Sequence, residues 1–517
     1  MEKVMERRLL RFLVKITLIS LFNALAIFAC VFFAISGDLY LSTAGVVMLV
    51  AVNSIAFKKK SYPLKYLLPG LFFLTAMVVI PIFYNVYLSL TNYSTGHVIG
   101  KNDAINLFLN REYLRPDAKK YSFKAYGNDS DIVLLLLKSD EELLVDMNGE
   151  IHDPVEFDIV DCDLDGTPDK IGQWKAMEAS KIVSKISLLQ KLRIPYGNGW
   201  LRLSTLREFR QYEHQYVYDE ATDTLTDLKT GKTYRPEKAR FISSDGDVLD
   251  PGWTEYVGLQ NYLRIINTEK YRKPFFGVFI WTIEWSLFTV LISFAIGLFL
   301  AIMLNDSKLR FRKLYRSLLI VPYAMPSFIS LLVWRYGFYS GEFGFFNRML
   351  KNLAGISIPW LDTVFWARFS VLLTNIWLTF PYMMLVSLGA LQAIPPHLLE
   401  AAKIDGAGSW QKFRKVTFPL VIVTLAPLLI GSFATTFNNF TVIWLLTEGR
   451  PVTGIGDVAG ATDILISYAY KLAFSGREGS EMALSAAVSV VIFAIVVTIS
   501  IISFRRTRVL EDVANEI

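Results

Sequence analysis

Long apolar runs separated by short basic segments dominate the pattern along this chain. A hydrocarbon core of about 30 Å takes roughly 20 apolar residues in a helix, and counting on that basis predicts eight membrane spans. They are approximately Ile16–Ile35, Leu41–Phe57, Leu67–Leu90, Phe276–Leu304, Leu318–Trp334, Phe369–Leu391, Pro419–Phe440 and Ala483–Phe504. The pattern therefore predicts an all-α polytopic membrane protein.

A polar insert of soluble composition, Asn92–Arg272, separates the third predicted span from the fourth. It is large enough to have its own core. Thr224–Pro236 predicts two strands around a turn, and Ile132–Leu137 and Glu142–Val145 predict two more. Gln173–Leu192 has the apolar spacing of a helix. We therefore divide the chain into residues 1–91 with three spans, a β-rich insert 92–272, and a core 273–517 with five spans.

The basic residues predict the orientation of these spans, because Lys and Arg are enriched in cytoplasmic segments. They lie before the first span, after the second, between the fourth and fifth, between the sixth and seventh, and after the last. Eight spans place all of these segments on one side. We therefore expect a multi-pass protein of the inner membrane, with both termini cytoplasmic and the insert periplasmic.

The composition excludes an ordinary soluble protein, because 53% of the 517 residues are hydrophobic and only 19% are charged. The net charge of +6 does not indicate nucleic-acid binding, since the basic residues sit at the ends of apolar runs. Cys30 lies in an apolar run and Cys162 in a polar segment, so no disulfide framework is implied. The first apolar run lacks a clear cleavage site and is interpreted as a retained anchor.

Polar side chains inside three of the spans are candidates for a ligand site. The fifth span has Tyr323 and Ser327 beside two prolines that can kink it, and the sixth has Asn375, Thr379 and Tyr382 on one helical face. The seventh has Thr435, Thr436 and Asn439. Such residues can be interhelical contacts only. Together they favour a pathway for a neutral, hydroxyl-rich ligand, because few charges accompany them.

Glu284 is the one carboxylate deep in a predicted span, about eight residues from the end nearer the insert. An ionisable residue at that depth is a functional candidate. Snorkelling, or pairing with a partner subunit, explains it equally well.

A polar segment, EAAKIDGAGSWQKFRKVTFPL, lies between the sixth and seventh spans within residues 395–420. Its first residues, Glu400, Ala401 and Ala402, can end a short helix. Gly406 and Gly408 can then adopt positive φ and reverse the chain beyond Asp405. By composition alone this is a basic cytoplasmic loop.

Two further motifs concern ATP and metals. Gly231-Lys232-Thr233 ends like a phosphate-binding loop, but Thr226 replaces the required glycine, so we interpret it as a turn and assign no catalytic residue. DCDLDGTPD fits the first positions of a calcium loop, but position 12 would be Gly172. The candidate ligands are Asp161, Asp163, Asp165, the Thr167 carbonyl and Asp169. A Ca²⁺ site and a solvated acidic turn both remain open.

The order of residues in the Glu400 segment, with VGLQNY, VPYAMPSFIS, PYMM and FNNF, resembles the larger membrane subunit of the maltose/maltodextrin ABC importers over nearly the whole chain. The resemblance implies a type I ABC importer permease fold. It also implies a second permease subunit (MalG-like), two ATPase subunits (MalK-like) that bind ATP and Mg, and a periplasmic sugar-binding protein. Glu400, Ala401, Ala402, Asp405, Gly406 and Gly408 would then form the ATPase-coupling site.

By the same resemblance, the sugar would lie at mid-membrane between the fifth, sixth and seventh spans. The matching positions are Tyr323, Ser327, Asn375, Leu378, Tyr382 and Asn439. Three positions depart from the family: Thr379 replaces a glycine, Thr435 an aromatic residue, and Thr436 an asparagine. A sugar is therefore expected, and these threonines can change which one fits.

Three alternatives remain open at this stage. An ABC permease for a different sugar, such as trehalose, would share every motif above. An ion-coupled secondary transporter would share the polar spans, although Glu284 is its only intramembrane acid. A membrane-anchored, calcium-dependent receptor would explain the insert and the acidic run but not the Glu400 segment.

Overall fold

The structure is a computed structural model of the 517-residue chain. It describes residues 2–35, 42–43, 45–46, 48–50, 53–54, 67, 70–127, 132–138, 141–153, 157–160, 168–306, 309–452, 454, 458–475 and 479–515. The chain divides into two units, Met1–Tyr87 and Leu88–Ile517. Each is described by itself.

The first unit contains helix α1 (Glu2–Ile35) and most of helix α2 (Gly70–Ser89). Asn23 and Asn53 exchange two amide hydrogen bonds of 3.0 and 2.8 Å, so each half-buried amide has a partner in an apolar setting. Cys30 is a buried free thiol. The predicted span Leu41–Phe57 falls largely outside the described residues.

The insert contains helices α3 (Lys101–Leu109), α4 (Ala179–Ser184) and α5 (Ile186–Leu189) and sixteen described strands. The strands are β1 (Glu112–Leu114), β2 (Lys120–Gly127), β3 (Ile132–Lys138), β4 (Glu141–Asp146), β5 (Ile151–His152), β6 (Ile159–Val160), β7 (Lys170–Ile171), β8 (Trp174–Ala176), β9 (Ile194–Tyr196), β10 (Gly199–Thr205), β11 (Glu208–His214), β12 (Tyr216–Asp219), β13 (Thr224–Asp227), β14 (Thr233–Glu237), β15 (Arg240–Ser243) and β16 (Val248–Leu249).

These strands form two antiparallel sheets, each with its own core. The larger sheet follows the order β5-β4-β3-β2-β11-β10-β9, with β1 and β8 pairing to it at the side, and it packs against α4 and α5. The smaller sheet has the order β12-β13-β14-β15-β16 and packs against α3. A β-rich insert is confirmed. The Gly231 segment is the turn between β13 and β14, with φ +73° at the glycine.

The helix predicted over Gln173–Leu192 was wrong in extent. Residues Trp174–Ala176 form a strand because they pair with β2, and the helical part is interrupted at Lys185, which has φ −103° and ψ 6°. Ile182, Ile186 and Leu189 still face the sheet as their spacing predicts. Tertiary pairing therefore overrode the local helical pattern in its first turn.

The part of the second unit that follows the insert is helical. Its helices are α6 (Gln260–Asn267), α7 (Glu269–Asn305), α8 (Arg312–Ala324), α9 (Ser327–Phe338), α10 (Phe345–Ala354), α11 (Val364–Ala393), α12 (Pro396–Ile404), α13 (Ser409–Phe437), α14 (Phe440–Leu446), α15 (Leu465–Phe474) and α16 (Met482–Asn515).

Within the described residues of the whole chain, five helices are long and apolar enough to cross a membrane, and the number rises to six if α8 and α9 form one span. The five are α2, α7, α11, α13 and the first part of α16. Helices α8 and α9 meet at an angle of 83°. Met325 is extended there because the ring of Pro326 excludes the helical conformation before it. The kink predicted at this proline is confirmed.

Helices α7 and α11 pack closely around Gly297. A Cβ at this position would lie 2.6 Å from the backbone nitrogen of Met384 and 2.7 Å from the carbonyl carbon of Met383. Backbone atoms of a packed helix cannot move aside as a flexible side chain can. A glycine is therefore required where these two spans cross.

We expect Gly297→Val to destabilise the protein by about 1–3 kcal/mol or more, because it overpacks this crossing. The measurement is the thermal midpoint of the purified protein in detergent. Gly277→Val is the matched control, since Gly277 lies in the same helix and a Cβ there meets nothing within 4 Å. Equal midpoints for the two variants would contradict the close crossing.

Candidate functional site

A cavity of about 380 Å³ lies between helices α7, α8, α11 and α13. Its volume is in the range of small-molecule sites. The lining residues are Thr289, Val290, Tyr323, Leu378, Thr379, Tyr382, Met383, Pro427, Leu428, Gly431, Ser432, Thr435, Thr436 and Asn439. All are neutral, and hydroxyl groups make up most of the polar part. Seven of the nine substrate-binding residues proposed from the sequence line this cavity.

Two tyrosines from different spans form an aromatic wall of the cavity. The rings of Tyr323 and Tyr382 are stacked with centroids 6.0 Å apart and an interplanar angle of 26°. The ring of Tyr323 comes from the last turn of α8, just before the Pro326 bend, and it is 55% exposed. Stacked rings with hydroxyls at their edges suit a ligand with apolar faces and polar edges.

Two of the threonine hydroxyls are engaged within the protein. Thr379 Oγ1 donates to the Asn375 carbonyl at 2.7 Å and lies 2.6 Å from Ser293 Oγ on α7. Thr435 Oγ1 donates to the Gly431 carbonyl at 2.9 Å. Because each hydroxyl proton is already used, these two residues narrow the cavity with their methyl groups more than they offer donors to a ligand.

Asn439 reaches the cavity through a break between α13 and α14. Asn438 leaves the helical region with φ −107° and ψ 17°, and Asn439 Oδ1 accepts a hydrogen bond of 3.4 Å from Val442 N as the N-cap of α14. Within the described residues, no hydrogen bond involves Asn439 Nδ2. The amide can therefore cap the helix with its oxygen and present its nitrogen to a ligand.

Two of the nine proposed residues do not line the cavity. Asn375 is buried and its Nδ2 lies 3.5 Å from Thr289 Oγ1, a residue that does line it. Ser327 is exposed at the start of α9, beyond the 83° bend. The bend carries Ser327 away from the wall that Tyr323 forms.

Sequence reasoning missed the contribution of α7. Thr282, Ser286, Thr289 and Ser293 are all buried and recur at spacings of four, three and four residues. This spacing puts them on one helical face. The stripe is visible in the sequence and would have predicted Thr289. On α13, Ser432 lies three residues before Thr435 and could have been found in the same way.

Two ion pairs and a hydrogen bond connect the helices at the end of this bundle nearer the insert. Arg335 Nη2 of α9 pairs with Glu448 after α14 at 2.8 Å, which holds the pKa of the Glu448 carboxyl below its usual value. Lys471 Nζ pairs with the buried Asp463 at 2.6 Å. Arg368 of α11 donates to the Ala461 carbonyl at 2.9 Å. Helices α9, α11 and α15 are thereby held to the segment that follows α14.

Glu284 lies at the same end of the bundle, nearer the insert, and does not line the cavity. It is half-buried on α7, and its charge interacts with that of Arg368, whose guanidinium carbon lies 4.4 Å from the centroid of the Trp281 ring. An acid near a guanidinium is a sufficient reason for a carboxylate at this depth.

The Glu400 segment forms an exposed helix, turn and second helix. Gly406 has φ +77°, and Ala407 N donates to the Ala402 carbonyl at 2.9 Å while Gly406 N donates to that of Lys403 at 3.1 Å. These two hydrogen bonds define a Schellman motif. The positive φ predicted for Gly408 was wrong, because its φ is −65°. Gly408 is instead the N-cap of α13, and its N–H donates to Gln411 Oε1 at 3.0 Å.

This segment carries large apolar side chains in solvent. Ile404 is 86% exposed and Trp410 is 69% exposed, and Glu400, Ala401 and Asp405 lie beside them at the surface, with Ala402. Among the described residues, no ion pair involves Glu400 or Asp405. An apolar tip with unpaired acids has the composition of a protein-docking surface.

The proposed calcium ligands Asp161, Asp163, Asp165 and Thr167 lie outside the described residues. Asp169 is described, and its backbone N–H bonds to the Val160 carbonyl at 2.9 Å, where β6 meets β7. A calcium site there stays a prediction.

Asp146, Glu150 and His152 bring three possible metal ligands within 4.8 Å of one another in the β4–β5 hairpin. Asp146 Oδ1 accepts the N–H groups of Asn148 and Glu150 at 2.9 Å, and His152 Nε2 lies 3.8 Å from Asp146 Oδ2. These contacts stabilise the turn of the hairpin, which accounts for the cluster without an ion.

Two family models match parts of this chain. Residues 293–511 match the family described as "Binding-protein-dependent transport system inner membrane component", and residues 72–148 match "N-terminal of TM subunit in PBP-dependent ABC transporters". Among solved structures, a bacterial ABC transporter for the acidic polysaccharide alginate is similar with a TM-score of 0.43 and 23% identity, over 49% of this chain and 84% of that one.

Among curated proteins, the chain is 35% identical over 486 residues to the maltose/maltodextrin transport system permease protein MalF of Photorhabdus laumondii, covering 92% of each. It is 34% identical over 490 residues to the MalF protein of Vibrio parahaemolyticus, covering 92% of this chain and 91% of that one. These relatives are transport components rather than enzymes. The chain belongs to the MalF family of ABC-importer permease subunits, with the type I permease fold that its Glu400 segment had indicated.

Proposed function

We propose that this chain carries maltose, maltodextrin or a related α-linked oligosaccharide through the inner membrane of the cell, as the permease subunit of an ATP-driven importer. The observation that supports it best is the neutral cavity between four helices, with its stacked Tyr323 and Tyr382 and its hydroxyl-rich lining. A sugar presents apolar ring faces and hydroxyl edges, which such a lining matches.

The composition of the cavity argues against an ion-coupled secondary transporter. Coupling to protons or sodium ions generally uses acids or carbonyl clusters within the membrane. Glu284 does not line the cavity, and the fourteen lining residues carry no charge. A receptor anchored in the membrane would not need a cavity between the spans.

We further propose that the Glu400 segment couples this chain to an ATPase subunit. Its exposed Ile404 and Trp410 would enter a cleft on the partner, and Glu400 and Asp405 would lie at the rim. ATP and Mg would be held by the partner subunits. A rigid docking segment joined directly to α13 can transmit motion of the partner to the helix that contributes more residues to the cavity lining than any other.

The proposed assembly contains this chain, a second permease subunit, two ATPase subunits and a periplasmic binding protein. Eight spans would place both termini in the cytoplasm and the insert in the periplasm. Transport would then alternate between two states that ATP and the loaded binding protein favour differently.

Uptake of labelled maltose, maltotriose and trehalose in cells lacking and regaining this chain tests the proposal. Restored uptake of maltose or maltotriose would support the maltodextrin assignment, and restored uptake of trehalose alone would keep the importer and change its substrate. No uptake of any of the three by the assembled complex would contradict a sugar of this class.

Thr379 gives a sharper test of which sugar fits. We expect Thr379→Gly to raise the ratio of maltotriose to maltose uptake, on the order of tenfold, because it removes a side chain from the wall of the cavity. Thr379→Val is the control, since it keeps the volume of the side chain and removes only the hydroxyl beside Ser293. An unchanged ratio in the glycine variant would show that Thr379 does not limit the size of the ligand.

A further inference from the structure

Helix α6 lies beside the first residues of two long helices of its own unit. Asn261 Nδ2 donates to the carbonyls of Ser89 and Thr91 at 2.9 and 2.7 Å, at the start of the same unit. Arg264 Nη2 pairs at 2.8 Å with Glu481, the residue before α16. Only Thr268 separates α6 from α7. Since the ends of spans mark the boundary of the hydrocarbon layer, α6 lies at that boundary, on the side of the insert.

Its side chains divide into three faces. Asn261 and Ile265 are buried, and Ile265 packs in a core with residues of α7 and α16. Leu259, Leu263 and Ile266 are 65%, 53% and 54% exposed. At about 100° per residue these three fall within an arc of roughly 60°, on nearly the opposite side of the helix from the buried face.

The third face is polar, and it borders a polar cavity instead of the helical core or the exposed surface. Gln260 and Arg264, together with buried Asn261, line a polar cavity of about 330 Å³ with residues 92–97 and Glu481. This cavity lies at the base of the insert. The polar face of α6 is therefore directed toward the insert, and the exposed apolar face lies on a separate side of the helix.

We propose that α6 is an interfacial helix whose apolar face, defined by Leu259, Leu263 and Ile266, enters the lipid surface at the boundary nearer the insert. An amphipathic helix at this level places apolar side chains among the upper acyl chains and polar ones in water. Tyr256, 68% exposed just before the helix, has the amphipathic ring that is enriched at such boundaries.

The neighbouring surface favours lipid over a second protein as the occupant. The first turn of α7 is charged, with Glu269 and Lys273 paired at the surface, and exposed Phe276 and Ile280 begin directly beyond it. Charged side chains followed along a helix by exposed apolar ones are expected where the helix passes from the lipid headgroups into the acyl chains. The lipid contact of α6 would fix the segment at residues 89–91, from which the insert emerges.

Fluorescence quenching by lipids tests this placement. Cys30 and Cys162 are the only cysteines in the chain, so both can be replaced by serine. A single cysteine introduced as Leu263→Cys is then labelled with an environment-sensitive fluorophore, and Gln260→Cys on the polar face is the matched control. The complete transporter is reconstituted in vesicles of phosphatidylethanolamine and phosphatidylglycerol, with phosphatidylcholine spin-labelled near the top of its acyl chain.

We expect quenching by the spin-labelled lipid to be several-fold stronger at Leu263→Cys than at Gln260→Cys, with the reverse order for aqueous iodide. Ile266→Cys should behave as Leu263→Cys does, and it replaces that variant if the latter fails to assemble. Equal lipid quenching at the two faces would overturn the proposal. So would a probe at position 263 that is shielded from both quenchers, because a protein subunit would then cover this face.

Discussion

Replacing Tyr382 by alanine is expected to slow maltose uptake roughly 10- to 100-fold at low sugar concentration. An aromatic contact together with a hydrogen bond contributes on the order of 1–3 kcal/mol to holding a ligand, which converts to that range of rates. Tyr382 also stacks on Tyr323, so the remaining ring loses its support. Initial rates of labelled maltose uptake, normalised to assembled transporter in the membrane, measure the effect.

Two variants separate this role from a general loss of stability. Tyr382→Phe keeps the ring and loses only the hydroxyl, so it should retain most of the uptake. Tyr336→Ala removes a tyrosine that is 64% exposed on α9 and does not line the cavity, and it should behave like the parent. If Tyr382→Ala transports at the parental rate, the cavity between the spans is not the sugar site.

Replacing Gly406 by valine is expected to abolish the link between sugar uptake and ATP hydrolysis. The backbone at Gly406 has φ +77°, and a side chain there is strained by about 1–2 kcal/mol or more when it is β-branched. The Schellman hydrogen bonds of Ala407 and Gly406 would open, and the angle between α12 and α13 would no longer be fixed. ATPase activity of the assembled complex, with and without the loaded binding protein, measures the coupling.

Gly408→Ala is the control for this experiment. Gly408 has φ −65°, which alanine adopts without strain. A Cβ added at Gly408 would lie no closer than 3.9 Å to any neighbouring atom, the nearest being Gln411 Oε1. Gly408→Asp is equally compatible with the backbone, since aspartate is a favourable N-cap, and any loss it causes would come from the docking surface. Normal coupling in Gly406→Val would contradict a rigid turn as the coupling element.

The candidate site shows what helical periodicity in the sequence can predict and what it cannot. Asn375, Thr379 and Tyr382 share a face of one helix, and their spacing in the sequence is sufficient to predict this. Periodicity cannot say which part of that face meets the cavity. Asn375 is turned toward Thr289 on α7, whereas Thr379 and Tyr382 lie at the wall. The difference comes from how α7 packs against α11, which depends on the close crossing at Gly297.

The insert shows the opposite case, in which long-range pairing decides local structure. Hairpins such as β13–β14 form between neighbours in the sequence, so their turn residues were sufficient to predict them. The division of the insert into two sheets was not predicted, because β2 also pairs with β8 and β11, whose residues lie far from it along the chain. No pattern within a short window contains that information.

The sequence by itself determined the class of this protein, four of the five spans predicted after the insert, the bend before Ser327, and the turn that Gly406 makes. Each depends on apolar length, proline sterics or a left-handed backbone, which are local properties of the chain. Only the tertiary structure decided which hydroxyls face the cavity, that Glu284 lies near Arg368, and that α6 exposes an apolar face at the end of the spans. Those features depend on which helices cross and where, because a contact between distant residues forms only when the packing of whole elements brings them together.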